Sequence, residues 1–163
     1  MSDPVSHPVS HMNRRDFLLA TGVAAAAVLS LPVLQNSARA AAPTMPDKPV
    51  DVGLLKDFDK DGVTQTFAKK PNFIFIVRKD GKLYACLSQC THKYRPLTVK
   101  SDEFFCPAHK SEFSFEGTVT NGPAKNSLPR YAISTDDKGH VIVDCSKEFS
   151  ESKWDDTASF IKV

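Results

Sequence analysis

Two short donor pairs constrain this chain more than anything else in it: Cys90-Thr91-His92 and, thirteen residues later, Cys106-Pro107-Ala108-His109. Each pair offers a soft thiolate and an imidazole. That donor set suits zinc or iron–sulfur chemistry, whereas magnesium and calcium take oxygen ligands. A single centre using all four groups requires two loops to meet, so the segment between them has to turn back on itself. Its residues allow this: Leu97 to Lys100 and Glu103 to Phe105 read as short strands about Ser101-Asp102, a hairpin that returns Cys106 to Cys90.

The surrounding sequence has the same character. Eleven Pro and seven Gly separate short apolar runs in a chain of 163 residues, which predicts one all-β domain. Strands are expected at Val63 to Phe67, Asn72 to Arg78 and Lys82 to Ser88, the last two joined through Lys79-Asp80-Gly81, with Asp-Gly as a hairpin turn. Phe73, Phe75 and Val77 alternate with Ile74 and Ile76, so both faces of that strand are apolar and it belongs between packed layers. Further strands are expected at Glu112 to Phe115, Thr118 to Thr120, Tyr131 to Thr135 and His140 to Cys145. The proline-spaced segment 41–50 reads as a linker, residues 51–145 as the folded domain, and 146–163 as a tail that packs on the domain or is disordered.

The two donor pairs resemble the Rieske 2Fe-2S pattern, C-x-H and C-x-x-H filled as C-T-H and C-P-x-H. The similarity extends from about Val52 to Asp144, taking in a Gly122-Pro123-Ala124 turn, Leu128 and Tyr131. It implies an antiparallel β-sandwich or barrel carrying a two-loop cluster-binding subdomain. It also implies a 2Fe-2S cluster whose inner iron is held by Cys90 and Cys106 and whose outer iron is held by His92 and His109. The competing reading of the same residues is a structural zinc site with two Cys and two His. With imidazoles replacing two thiolates the oxidised cluster carries less negative charge, so it accepts an electron more readily than a four-cysteine cluster. Such centres lie at about −150 to +300 mV, against about −400 mV for plant-type ferredoxins.

The resemblance places Ser111, Phe113 and Pro123 around the cluster. High-potential relatives have a Ser where Ser111 stands, a Tyr where Phe113 stands, and two further Cys where Arg95 and Ala108 stand. One hydrogen-bond donor is thus kept, while the other and the loop disulfide are lost. The expectation is an intermediate potential, roughly 0 to +150 mV. Lys93, Arg95 and Lys110 flank the ligand loops and are candidates for raising the potential or attracting an acidic partner. Cys86 and Cys145 are either disulfide-bonded or two separate buried thiols.

Residues 1–40 have a different composition from the rest. Asn13-Arg14-Arg15-Asp16-Phe17-Leu18-Leu19 leads into an Ala-rich apolar run and the small-residue site Ala38-Arg39-Ala40. This resembles a twin-arginine export signal, and cleavage is expected after Ala40. A route that exports folded cargo suits a cofactor assembled in the cytoplasm, so the expected location is the periplasm. Leu18 to Leu34 spans 17 residues, at the lower limit for a membrane helix. The alternative is therefore a retained anchor facing the periplasm.

Several function classes are excluded. Twenty-one basic against nineteen acidic residues leave no footprint for nucleic acid. Asp57-Phe58-Asp59-Lys60-Asp61-Gly62 resembles half of a calcium loop, but its twelfth position is Ala68, which supplies no oxygen, so the stretch reads as a solvated turn. An oxygenase needs a mononuclear iron with two His and a carboxylate. Of five His, two belong to the cluster motif and His7 and His11 precede the signal, leaving only His140. The chain is expected to be a one-electron carrier with no catalysis of its own, serving a redox protein or an oxidoreductase. The alternatives are a small subunit of a larger respiratory or molybdoenzyme-type complex and a zinc-stabilised binding module.

Overall fold

The computed structural model describes residues 41–163. The leader, the export signal, the cleavage position and the alternative anchor lie outside the described residues. The strands, in chain order, are Val50–Leu54 (β1), Gly62–Thr64 (β2), Ile74–Lys79 (β3), Lys82–Leu87 (β4), Thr98–Val99 (β5), Glu103–Phe105 (β6), Glu112–Ser114 (β7), Val119–Asn121 (β8), Arg130–Thr135 (β9), His140–Phe149 (β10) and Ile161–Lys162 (β11). Only 3-10 turns accompany them among the described residues.

The Asp80-Gly81 turn organises the larger sheet. Both residues have positive φ, 50° and 72°, as a two-residue type I′ turn requires, and β3 pairs with β4 from Lys79↔Lys82 to Ile74↔Leu87. Antiparallel neighbours extend this hairpin in the order β1-β10-β9-β4-β3-β2, with β11 also paired to β4. The smaller sheet runs β5-β6-β7-β8. Its first hairpin turns at Ser101-Asp102, where Lys100 N–H donates to the Glu103 carbonyl at 2.9 Å.

Each sheet face has its own core, and β3 with β4 separates the two. Ile74, Ile76, Leu83, Ala85 and Leu87 pack on one side with Tyr131, Ile133, Val141 and Val143. Phe75, Val77, Tyr84 and Cys86 pack on the other with Phe104, Phe113, Leu128, Cys90 and Cys106. The residues that alternate along β3 therefore serve different cores, and Ile74 to Val77 are all buried. The Phe75 and Phe104 rings stack at 4.7 Å and 3°, fastening the small sheet to the large one. Burying such a ring stabilises by about 1.5–3 kcal/mol.

β1 is not among the expected strands, although Val50, Val52 and Leu54 alternate with Asp51 and Gly53 as a half-buried strand does. Its backbone is nevertheless ordered as an edge strand on β10, through Val50↔Val143 and Asp51↔Ile142. β10 continues past Cys145 through an irregularity, to Glu148↔Tyr131 and Phe149↔Arg130. The final residues return along β4 at Ile161↔Leu83, and Phe160 is buried in the second core. Cys86 and Cys145 face different cores and are free, so separate buried thiols are the observed arrangement. In the calcium-like stretch, Asp57 accepts from Leu54 N–H at 3.1 Å and Asp61 lies 3.5 Å from Arg78, so both carboxylates serve the turn.

Candidate metal centre

The two donor loops share one backbone framework, although their His residues stand at different offsets. Cys90 N–H donates to the Arg95 carbonyl (2.9 Å) and Tyr94 N–H to the Cys90 carbonyl (2.7 Å). In the other loop Cys106 N–H donates to the Ser111 carbonyl (2.9 Å) and Lys110 N–H to the Cys106 carbonyl (2.8 Å). The residue four after each Cys is left-handed, Tyr94 at φ 47° and Lys110 at φ 65°. Neither is glycine, so each costs about 1–2 kcal/mol that the surrounding hydrogen bonds have to offset. Isolated bridge pairing of Gln89 with Pro96 closes the base of the first loop.

This framework brings the four sequence-predicted donors together as two pairs. Cys90 and Cys106 are fully buried in the same core cluster. The His92 and His109 rings lie 4.8 Å apart and perpendicular. Both rings are partly exposed, yet the Nδ1 atom of each is buried without a hydrogen-bond partner. Two orphaned ring nitrogens side by side are costly unless something binds them. A metal cofactor bridging the thiol pair and the imidazole pair fits that need. No three His, Cys, Asp or Glu side chains among the described residues are placed to hold one ion. Paired donors suit a two-iron cluster better than a single tetrahedral zinc.

Electrostatics favour the same use. Burial pushes the Cys90 thiol up, while the His92 backbone N–H and the Ser111 hydroxyl, both donating to its sulfur, act in the opposite sense and stabilise a thiolate. His92 is shifted down by desolvation, then by His109 and Lys93, which favours the neutral imidazole that coordinates metal.

Ser111 is the most connected of the residues expected around the cluster. Fully buried, it accepts from Ala124 N–H at 3.0 Å while donating toward Cys90, so it ties the Gly122-Pro123-Ala124 loop to the donors. Phe113 is buried in the adjoining core, whereas Pro123 is exposed. Arg95 and Ala108 are exposed as well. Sequence reasoning missed Thr91, whose hydroxyl donates to the Asn126 carbonyl at 2.6 Å and fastens the same covering loop to the first donor loop. Its only signal was the filling of the C-T-H triplet. His140 lies elsewhere, at the start of β10, with Nδ1 2.8 Å from Asp51.

Residues 48–132 match the family model of the Rieske 2Fe-2S domain. The chain belongs to the Rieske 2Fe-2S family. Its cofactor is a 2Fe-2S cluster, and its described residues have the all-β architecture expected from the sequence. Residues 11–30 match the twin-arginine translocation pathway signal sequence, which marks the chain for export across a membrane. Among curated Rieske relatives, the chloroplastic cytochrome b6-f complex iron-sulfur subunit 1 of Nicotiana tabacum is 33% identical over 85 residues, covering 50% of this chain and 37% of that one. The cytochrome bc1 complex Rieske iron-sulfur subunit of Corynebacterium efficiens is 33% identical over 69 residues, covering 39% of this chain and 17% of that one. The chain therefore spans well under half the length of these relatives. A solved structure of the cyanobacterial plasma membrane Rieske protein PetC3 from Synechocystis PCC 6803 is 27% identical with a TM-score of 0.46, covering 59% of this chain and 99% of that one.

Proposed function

We propose that this Rieske protein carries single electrons in the periplasm, with Cys90, His92, Cys106 and His109 as the cluster ligands. Supporting the assignment above all are the buried, unpartnered Nδ1 atoms of His92 and His109, on rings whose centroids lie 4.8 Å apart, beside a buried thiol pair. When bound, the cluster supplies a reversible one-electron couple of moderately high potential. The protein's own part is to keep Cys90 and Cys106 away from solvent, to favour the neutral His92 imidazole at the surface-facing edge, and to direct the Ser111 hydroxyl toward sulfur. No nucleophile with a base partner is evident among the described residues near these loops, so any catalysis would reside in a partner. In this reading residues 1–40 are leader and signal, 41–50 linker, 51–145 the cluster domain, and 146–163 a tail returning onto it.

A second reading, a small subunit of a larger respiratory or molybdoenzyme-type complex, is favoured by the relatives that are named as subunits of cytochrome complexes. Co-purification from the membrane and periplasmic fractions separates it from a free carrier. The test of the ligand set is visible absorption and EPR on protein with assembled cofactor. The full chain should absorb in the visible and give an EPR signal on reduction. Cys106→Ser and His109→Ala should each abolish or alter that signal, and an unchanged spectrum in either variant would refute the assignment.

A further inference from the structure

A groove of about 750 Å³ opens beside the first donor loop, large enough for a small organic molecule. Stretches far apart in sequence wall it: the linker at Met45, the loop at Thr91 and Tyr94, the cover at Lys125 and Ser127, the end of β10 at Glu148 and the turn after it at Glu151. Its apolar part is Met45, Leu87, Val119 and Pro129.

The charges on this lining do not cancel. Glu148, Glu151 and Lys125 are its ionic residues, and Lys125 pairs with no carboxylate among the described residues. Lys147, beside Glu148 in sequence, is taken by Asp144 at 3.3 Å, which leaves the exposed Glu148 without a cation. Glu151 is held in place in advance, because the Thr118 hydroxyl donates to one of its oxygens at 3.0 Å and the Ser127 hydroxyl to the other at 2.6 Å. A carboxylate has about four acceptor sites, so both oxygens can take a further donor. Tyr131 points to a ligand independently. It is only 2% exposed, it lines the groove, and its hydroxyl has no hydrogen-bond partner among the described residues. Buried hydroxyls are seldom left so. Burial, and then Glu148, push its phenol well up, so it stays neutral and can both donate and accept.

We propose that this groove binds a small organic cation, with its ammonium group at Glu148 and Glu151, the Tyr131 hydroxyl as a further partner, and its apolar body along Met45, Leu87 and Pro129. Two carboxylates outweigh Lys125, so a cation is favoured over a neutral molecule or an anion of the same shape. Because Glu151 is already fixed by two hydroxyls, the ligand meets a carboxylate whose ordering costs nothing more on binding. The site is independent of the carrier reading, since none of its side chains belongs to the proposed cluster ligands.

The test uses the full chain with its cluster assembled and probes that share one shape but differ in charge: tyramine as the cation, para-ethylphenol as its neutral match and para-hydroxyphenylacetate as the anion. Affinities are read by titration calorimetry at low and at physiological salt. Tyramine should bind about tenfold more tightly than either match, and should weaken about threefold as the salt is raised. Glu148→Gln should weaken tyramine about fivefold and Tyr131→Phe about threefold, while Asp137→Asn, in the Asp136–Gly139 turn, should leave its affinity unchanged. No binding of tyramine, equal binding of all the probes, or an affinity that neither Glu148→Gln nor Tyr131→Phe reduces would overturn the site. Preference for the neutral or the anionic probe would overturn the assignment of a cation. The visible spectrum of each sample reports the cluster separately, so loss of the site with an intact spectrum leaves the carrier reading standing.

Discussion

At the scale of single residues, Ser111 has two duties that a substitution would separate. Its hydroxyl donates toward the Cys90 sulfur and accepts from Ala124 N–H. A donor to sulfur holds the reduced, more negative state better than the oxidised one, so Ser111→Ala should lower the potential. A difference of about 1 kcal/mol between the two states corresponds to roughly 40 mV for one electron. The orphaned Ala124 N–H would cost about 1–3 kcal/mol of stability. Redox titration and denaturant unfolding read the two effects independently. Phe113 brings no hydroxyl to the site and is buried instead in the apolar core beneath it. The wild-type midpoint is therefore expected between about 0 and +150 mV, and a value below −100 mV or above +250 mV contradicts this account of the loops. The C-T-H and C-P-x-H fillings made Cys90, His92, Cys106 and His109 legible as candidate donors from residue order alone, because metal chemistry dictates residue type and spacing together, and the fold brings them together as two pairs. Thr91 and Asn126 were not legible, since their hydrogen bond joins segments 35 positions apart and leaves no local pattern.

At the scale of elements, turns were readable and strand ends less so. Asp80-Gly81 predicted its hairpin because a two-residue turn with two positive φ values admits few residue pairs. β1 escaped notice because an edge strand is held by its backbone: Val50, Asp51 and Leu54 pair with β10, while Gly53 N–H turns to the Asp51 carboxylate. The far end of the β3–β4 hairpin carries a charge pair that titrates. Burial alone would raise the Glu116 carboxyl, but hydrogen bonds from Lys79, from Ser114 and from its own backbone N–H bring it down to about 2, and Lys79 is raised correspondingly. A depressed carboxylate contributes stability above its unfolded pKa of about 4.3, and that contribution disappears as the pH falls through the folded value of about 2. Glu116→Gln should thus cost no more than about 1 kcal/mol at pH 7, since both partners are more than a third exposed. The difference from wild type should close between about pH 4.3 and pH 2, as measured by urea unfolding across that range.

Across the whole molecule, β3 and β4 stand between two interiors, one structural and one containing the buried cysteines. The apolar alternation of residues 73–77 made a doubly packed strand legible, but not which interior each residue would meet, because that depends on the curl of the sheet and on Phe75 stacking against Phe104. The closing course of the chain, with β11 beside β4 and Phe160 in the second core, was equally hidden, since two paired residues are too few to leave a period. Positions on β3 are judged twice in this way. At Ile74, Phe75, Ile76 and Val77 the backbone carries side chains alternately toward opposite neighbours, and a change that shifts the strand to relieve one side disturbs the other. A saturation library scored separately for folding and for visible colour should find these four positions among the least permissive, with the even-numbered pair losing the fold first and the odd-numbered pair losing the colour.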